Sequence, residues 1–230
     1  MTKVPTKSPV NLLRNNLFFW LLFFATIISG CAQVDKTVLR NSSYLDQEVG
    51  YANSTPFVDS ARKQIGVVTR YDTGYYQGAY PPSGSGACTD VIEVALRENG
   101  YDLKAKIDQD MEKYPERYPQ PSDPNINFRH VVNVKTFLDR NAEKLSTCTT
   151  GDCFKQSLWQ PGDIVTFDQI PGSLWHIAIV SNKTKRDAKN AAVKIQFLIH
   201  NYGRGVVEDD YLLDWPAPIS GHYRIKEVSY

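Results

Sequence analysis

A change of hydrophobic period midway along the chain limits the fold more than any other feature. Up to about residue 144 apolar side chains recur at helical spacing, and after Gly162-Asp163 they fall into short strand-like runs. Helices are expected from Val58 to about Val68, with Asp59 or Ser60 near the start and Ala61, Ile65 and Val68 on one face. A second begins at Cys88-Thr89-Asp90 and stops at Asn99-Gly100, and a third runs from about Val131 to Lys144. Strands are expected at Ile164–Phe167, His176–Ser181, Val193–His200 and Gly221–Val228. Helices first and consecutive strands afterwards imply an α+β domain, N-terminal helices packed on a mainly antiparallel sheet. At 230 residues, 42% of them apolar, one core suffices.

The N-terminus is a different kind of segment. Lys3, Lys7 and Arg14 precede an uncharged run from Leu17 to Ile28, which stops at Ser29-Gly30-Cys31. Its twelve residues suit a signal-peptide core and fall short of the roughly 20 that a spanning helix needs. Ile28-Ser29-Gly30-Cys31 resembles the bacterial lipobox, which implies that residues 1–30 are removed and that Cys31 carries lipid. The expected location is exported and membrane-anchored, facing the periplasm from the outer membrane in a Gram-negative cell, although Ala32 leaves that sorting open. Residues 31–56 are polar and read as a flexible tether, with the domain occupying 57–230. Without the leader the chain has 23 Lys and Arg against 25 Asp and Glu, a balance that argues against a nucleic-acid partner.

Three cysteines follow Cys31. Cys148 and Cys153 bracket a short loop and suit a local disulfide in an exported protein, with free thiols or a metal as the alternatives. Cys88 is left unpaired, either as a small buried residue or as a reactive thiol. At a helix N-terminus it would sit against the positive end of the helix dipole, and a nearby imidazole could hold it as a thiolate. His176, at the start of an apolar strand, is the candidate imidazole, and His200 or Asn201 could orient it. The segment Tyr71–Ala87, with four tyrosines, reads as a long functional loop in which a phenol such as Tyr71 could contact substrate or an oxyanion. Asp90 suits either a helix cap or a substrate amine. His130 and His222 read as structural or surface residues, and Asp108, Asp110 and Glu112 as a solvated helical face. The sequence shows no metal-ligand set and no cofactor motif.

Pro161-Gly162-Asp163-Ile164-Val165-Thr166-Phe167, then His176-Ile177-Ala178-Ile179-Val180, then Ile199-His200, resembles the C-terminal half of the NlpC/P60 peptidases. Gly86-Ala87-Cys88-Thr89-Asp90 looks like their nucleophile helix, and the Cys-Thr pair is similar to CHAP amidases. The stretch of about 57–226 is similar to the DUF1287 family, on Cys-Thr-Asp-Val, Ala95-Leu96-Arg97, Asp110-Met111, Pro124-Asn125-Ile126 and Gly221-His222-Tyr223-Arg224. The resemblance implies a papain-like fold with Cys88 as nucleophile, His176 as base and His200 as orienter. It departs from the peptidases at Ala87, where they have Asp, so substrate contacts assigned to that position do not transfer.

The function expected from these features is a lipid-anchored thiol hydrolase cleaving an amide bond in cell-wall peptides. Two other readings compete with it. A non-catalytic wall-binding or assembly lipoprotein would carry a buried, inert Cys88, and a glycan hydrolase would use a carboxylate pair such as Asp90 and Asp110.

Overall fold

The computed structural model describes residues 50–169, 175–188, 190 and 192–226. The expected leader, the expected lipidation at Cys31 and most of the expected tether lie outside the described residues. The fold is α+β, with four α-helices among the described residues: α1 Pro56–Lys63, α2 Cys88–Glu98, α3 Leu103–Lys113 and α4 Val131–Asn141. None of them is long and apolar enough to cross a membrane. The strands are β1 Gly50–Tyr51, β2 Arg70–Tyr71, β3 Ser85–Gly86, β4 Glu143–Lys144, β5 Ile164–Phe167, β6 His176–Arg186, β7 Lys194–Asn201, β8 Val206–Asp209 and β9 Ile219–Arg224. The main sheet runs β4-β9-β5-β6-β7-β8, with β1 on the far end of β6, and all its pairings are antiparallel. β2 and β3 form a separate parallel pair inside the tyrosine loop.

Alternation along β6 and β7 gives the sheet two distinct faces. Ile177, Ile179 and Ile199 pack with Val91, Ile92, Ala95 and Leu96 of α2 and with Phe57, Val58 and Ala61 of α1. The opposite face carries Val165, Phe167, Ala178, Val180 and Leu198, covered by Trp159, Leu212 and Trp215 from the connecting segments. Each fully buried aliphatic side chain contributes about 1.5–3 kcal/mol, so both faces hold the sheet together.

Several boundaries differ from expectation for local reasons. α1 starts earlier, because Thr55 caps it by accepting from the Val58 amide at 3.2 Å and Pro56 fits the first turn. It ends at Lys63, and Ile65, expected on its buried face, is 40% exposed in the turn that follows. The chain from Glu143 leaves α4 to pair with β9. Gly50 and Tyr51, expected within the tether, pair with Thr184 and Lys183 of β6. β8 was not anticipated; it begins after Gly205, whose positive φ of 88° and contact with the Val68 carbonyl leave no room for a side chain. Asp108 and Asp110 are not a solvated face: Asp108 accepts from Asn127 and Lys104, and Asp110 from Tyr118 and Arg140.

The Pro-Gly-Asp strand start has a structural purpose. Asp163 is fully buried and accepts from the Gln160 amide, from His222 Nε2 at 2.8 Å, and from both Nε and Nη2 of Arg224. His222 also stacks on Trp159 at 3.9 Å, so it joins β9 to the covering segment. Removing one partner of a buried charged cluster strands the others. Asp163→Ala is therefore expected to lower unfolding free energy by about 3 kcal/mol in urea titrations. A loss below about 1 kcal/mol would show that the cluster is not a structural anchor.

Candidate functional site

Cys88 is the first residue of α2, and Ala87 is its N-cap in extended conformation. Asp90, at the third helical position, reaches back to accept from the Ala87 amide at 2.6 Å, which is half of a capping box. Alanine has no oxygen to return the bond, so the first-turn amides are not spent on a side-chain cap. Asp90 Oδ2 also accepts from Arg129 Nε and Nη2 at 3.2 and 3.1 Å. The same guanidinium donates to the carbonyls of Asp72 and Gly74. Asp90 thus acts as cap and ion-pair partner, tying the tyrosine loop to the start of α2.

The Cys88 thiol is 2% exposed and unpaired, whereas Cys148 and Cys153 form a disulfide with Cα atoms 5.8 Å apart. The Tyr71 hydroxyl donates to the sulfur at 3.9 Å, and the backbone amides of Ile177 and Thr89 lie close enough to favour its charged form. These donors favour the thiolate, but burial outweighs them and pushes the thiol up to about 11. The expected adjacent imidazole is not in place: no histidine is in hydrogen-bond contact with the sulfur among the described residues, and burial favours the neutral thiol.

His176 occupies the other face of the sheet. It packs with Phe167 and stacks on Trp215 at 4.1 Å, while its neighbour Ile177 faces α2. Its Nε2 is 2.6 Å from His200 Nδ1, and His200 Nε2 is 2.9 Å from Asp209 Oδ1. One side of three adjacent strands therefore carries a His176–His200–Asp209 relay. Hydrogen-bond direction fixes its protons: the carboxylate accepts from His200 Nε2–H, so His200 Nδ1 accepts from His176 Nε2–H. His176 Nδ1 then keeps a free lone pair. Burial, with a smaller contribution from His200, holds His176 well below the usual histidine range, so it is a neutral base.

The structure thus brings His176 and His200 into hydrogen-bond contact. Asn201 points to the opposite face and donates to the carbonyls of Gly86 and Arg70. It does not bring His176 into hydrogen-bond contact with Cys88; the sulfur meets β6 at the amide one residue further on. Asp209 escaped notice because the strand carrying it did, although its acidic run Glu208-Asp209-Asp210 follows an apolar Val-Val pair. Asp90 and Asp110 line separate cavities, so they do not make a carboxylate pair.

A cavity of about 270 Å³ opens beside the sulfur, lined by Cys88, Tyr71, Arg129, His130 and Trp175 among others. Fold and site together define an α+β protein with a buried thiol at a helix start and a histidine relay across its sheet. The family model described as "Domain of unknown function (DUF1287)" matches residues 58–225, and the chain belongs to that family. It is 36% identical over 175 residues to the uncharacterized protein YijF of Escherichia coli (strain K12), covering 72% of this chain and 78% of that protein. No solved structure matches the chain.

The protonation of Cys88 is directly measurable. Below a pKa of about 11 the thiolate fraction rises about tenfold per pH unit, so alkylation of Cys88 by iodoacetamide should climb from pH 7 to 10 without a plateau. Tyr71→Phe removes a donor to the sulfur and should slow labelling further at each pH. A plateau near pH 6, read by mass spectrometry, would contradict the neutral thiol.

Proposed function

We propose that this protein is a papain-like thiol hydrolase cleaving an amide bond in cell-wall peptides, with Cys88 as nucleophile and His176 as base. The observation that carries the reading is the relay. It orients His176 so that Nε2 is occupied and Nδ1, the ring nitrogen nearer the main chain, is the basic atom. The Cys88 sulfur lies at the peptide joining His176 to Ile177. A χ rotation of His176, or a shift of the sulfur on substrate binding, would join them.

In the forward direction Cys88 attacks the substrate carbonyl as its proton passes to His176, with the Tyr71 hydroxyl available to the oxyanion. His176 protonates the leaving amine, and a thioester remains on Cys88. Because both groups rest neutral, proton transfer accompanies attack instead of preceding it. Export and a lipid on Cys31 would place the enzyme beside its polymer, a reading supported by the Lys3–Cys31 pattern and by a disulfide suited to an oxidising compartment.

The test is digestion of soluble wall peptides by the full chain, with new amines detected by mass spectrometry. Cys88→Ser should abolish turnover, and Asp209→Asn should lower kcat about 10²–10⁴-fold with little change in KM, because the relay loses the acceptor that sets its tautomer. Turnover that survives Cys88→Ser would end the thiol mechanism.

A further inference from the structure

We infer that His130 is the general base for hydrolysis of the Cys88 thioester, a second imidazole acting from the substrate side of the cavity. The inference rests on the thiol-hydrolase reading above.

Cys88 and His130 line the same cavity of about 270 Å³, and His176 does not. The water that resolves a thioester enters by that cavity, on which His130 already stands, whereas His176 in its resting relay is not among the lining residues and is committed through Nε2 to His200. His130 precedes α4, but its side chain makes no capping hydrogen bond, and the ring has no side-chain hydrogen bond to any described residue. Its place is nevertheless fixed. The adjacent Arg129 is clamped by Asp90, Asp72 and Gly74, and Thr89 Oγ1 donates to the Arg129 carbonyl at 3.4 Å. The His130 main chain is thereby tied to the first turn of the nucleophile helix.

The chemistry suits a base. The other charged or titratable groups on the cavity among the described residues are Cys88, Tyr71 and Arg129. Burial, and to a lesser degree the Arg129 charge, lowers the His130 pKa from its ordinary value, which keeps the ring neutral at pH 7. In the step itself a water oxygen bonds to the thioester carbonyl carbon while its proton moves to His130. The carbon–sulfur bond breaks, its electron pair stays on Cys88, and the proton passes from His130 to that sulfur. A carboxylic acid and the free thiol result.

The full chain is treated with p-nitrophenyl acetate, which acylates cysteine without demanding a specific substrate. Nitrophenol release and the acetyl mass on Cys88 are followed separately. The expected result for His130→Gln is a nitrophenol burst within about twofold of wild type and deacetylation slowed at least 10²-fold. The wild-type deacetylation profile should carry an inflection below pH 6.5 that the variant lacks, and added imidazole should restore the step in His130→Ala. His176→Ala should instead lose the burst. Deacetylation of His130→Gln at the wild-type rate, with an unchanged pH profile, would overturn the assignment and leave the hydrolase reading standing. A wild-type Cys88 that takes no acetyl group would overturn both.

Discussion

The buried carboxylate of Asp90 organises everything around the thiol. One oxygen serves the Ala87 amide and the Arg129 guanidinium together, and through Arg129 it holds the carbonyls of Asp72 and Gly74. Three segments distant in sequence, the tyrosine loop, the start of α2 and the approach to α4, thus share one anchor. The arrangement has a cost, since burial raises the Asp90 pKa and Oδ1 is buried without a partner. That strain is tolerated because the alternative is worse: without Asp90 the guanidinium, whose side chain is 2% exposed, would be an uncompensated charge in the interior. Glycine at 86 belongs to the same anchor, because a side chain there would press on Asp90 at 3.2 Å.

Strand alternation then divides the labour. On β6 the residues facing α2 are apolar and seat the helix that carries Cys88, while the residues facing away carry the relay. A side chain cannot do both, so the Cys88 sulfur approaches the strand near the Ile177 amide while the His176 ring lies on the other face. Two neutral, buried partners follow from this geometry. For the proposed hydrolase, substrate must supply the remaining step, by excluding water and drawing the thiol proton toward His176 as the carbonyl arrives.

The sequence made the layers visible because periodicity reports which face is buried, and the strand Ile164–Phe167 and the start of α2 fall where the pattern places them. Cys88, His176, His200 and the disulfide pair could be singled out because each is chemically conspicuous. Facing could not be read the same way. His200 and Asn201 are adjacent, and only the pairing Ile179↔Ile199 decides which of them lies beside His176. Arg129 and Asp209 were missed since their partners lie 39 and 9 residues away, across contacts that no local pattern encodes. The α1 end failed for a different reason: Ile65 continues the helical stripe, but Gly66 at φ 78° turns the chain before that stripe can be used.

The relay also weighs the hydrolase against a wall-binding protein that merely keeps the fold. A neutral, buried thiol is compatible with either, so Cys88 alone does not separate them. The sheet face that carries His176 and His200 is otherwise packed with Val165, Phe167, Ala178, Val180 and Leu198, where aliphatic side chains would be simpler and no less stable. Two imidazoles are buried there instead, 4% and 0% exposed, with a carboxylate at the chain's outer end that is 24% exposed. The Trp215 indole N–H, stacked against His176, is buried without a hydrogen-bond partner, a further cost at the same place. The proposed hydrolase gives a use to a chain of hydrogen bonds that fixes one nitrogen as donor and leaves the other as acceptor. In that proposed mechanism a carboxylate 24% exposed at the far end is where the charge developing on His176 would be most cheaply balanced.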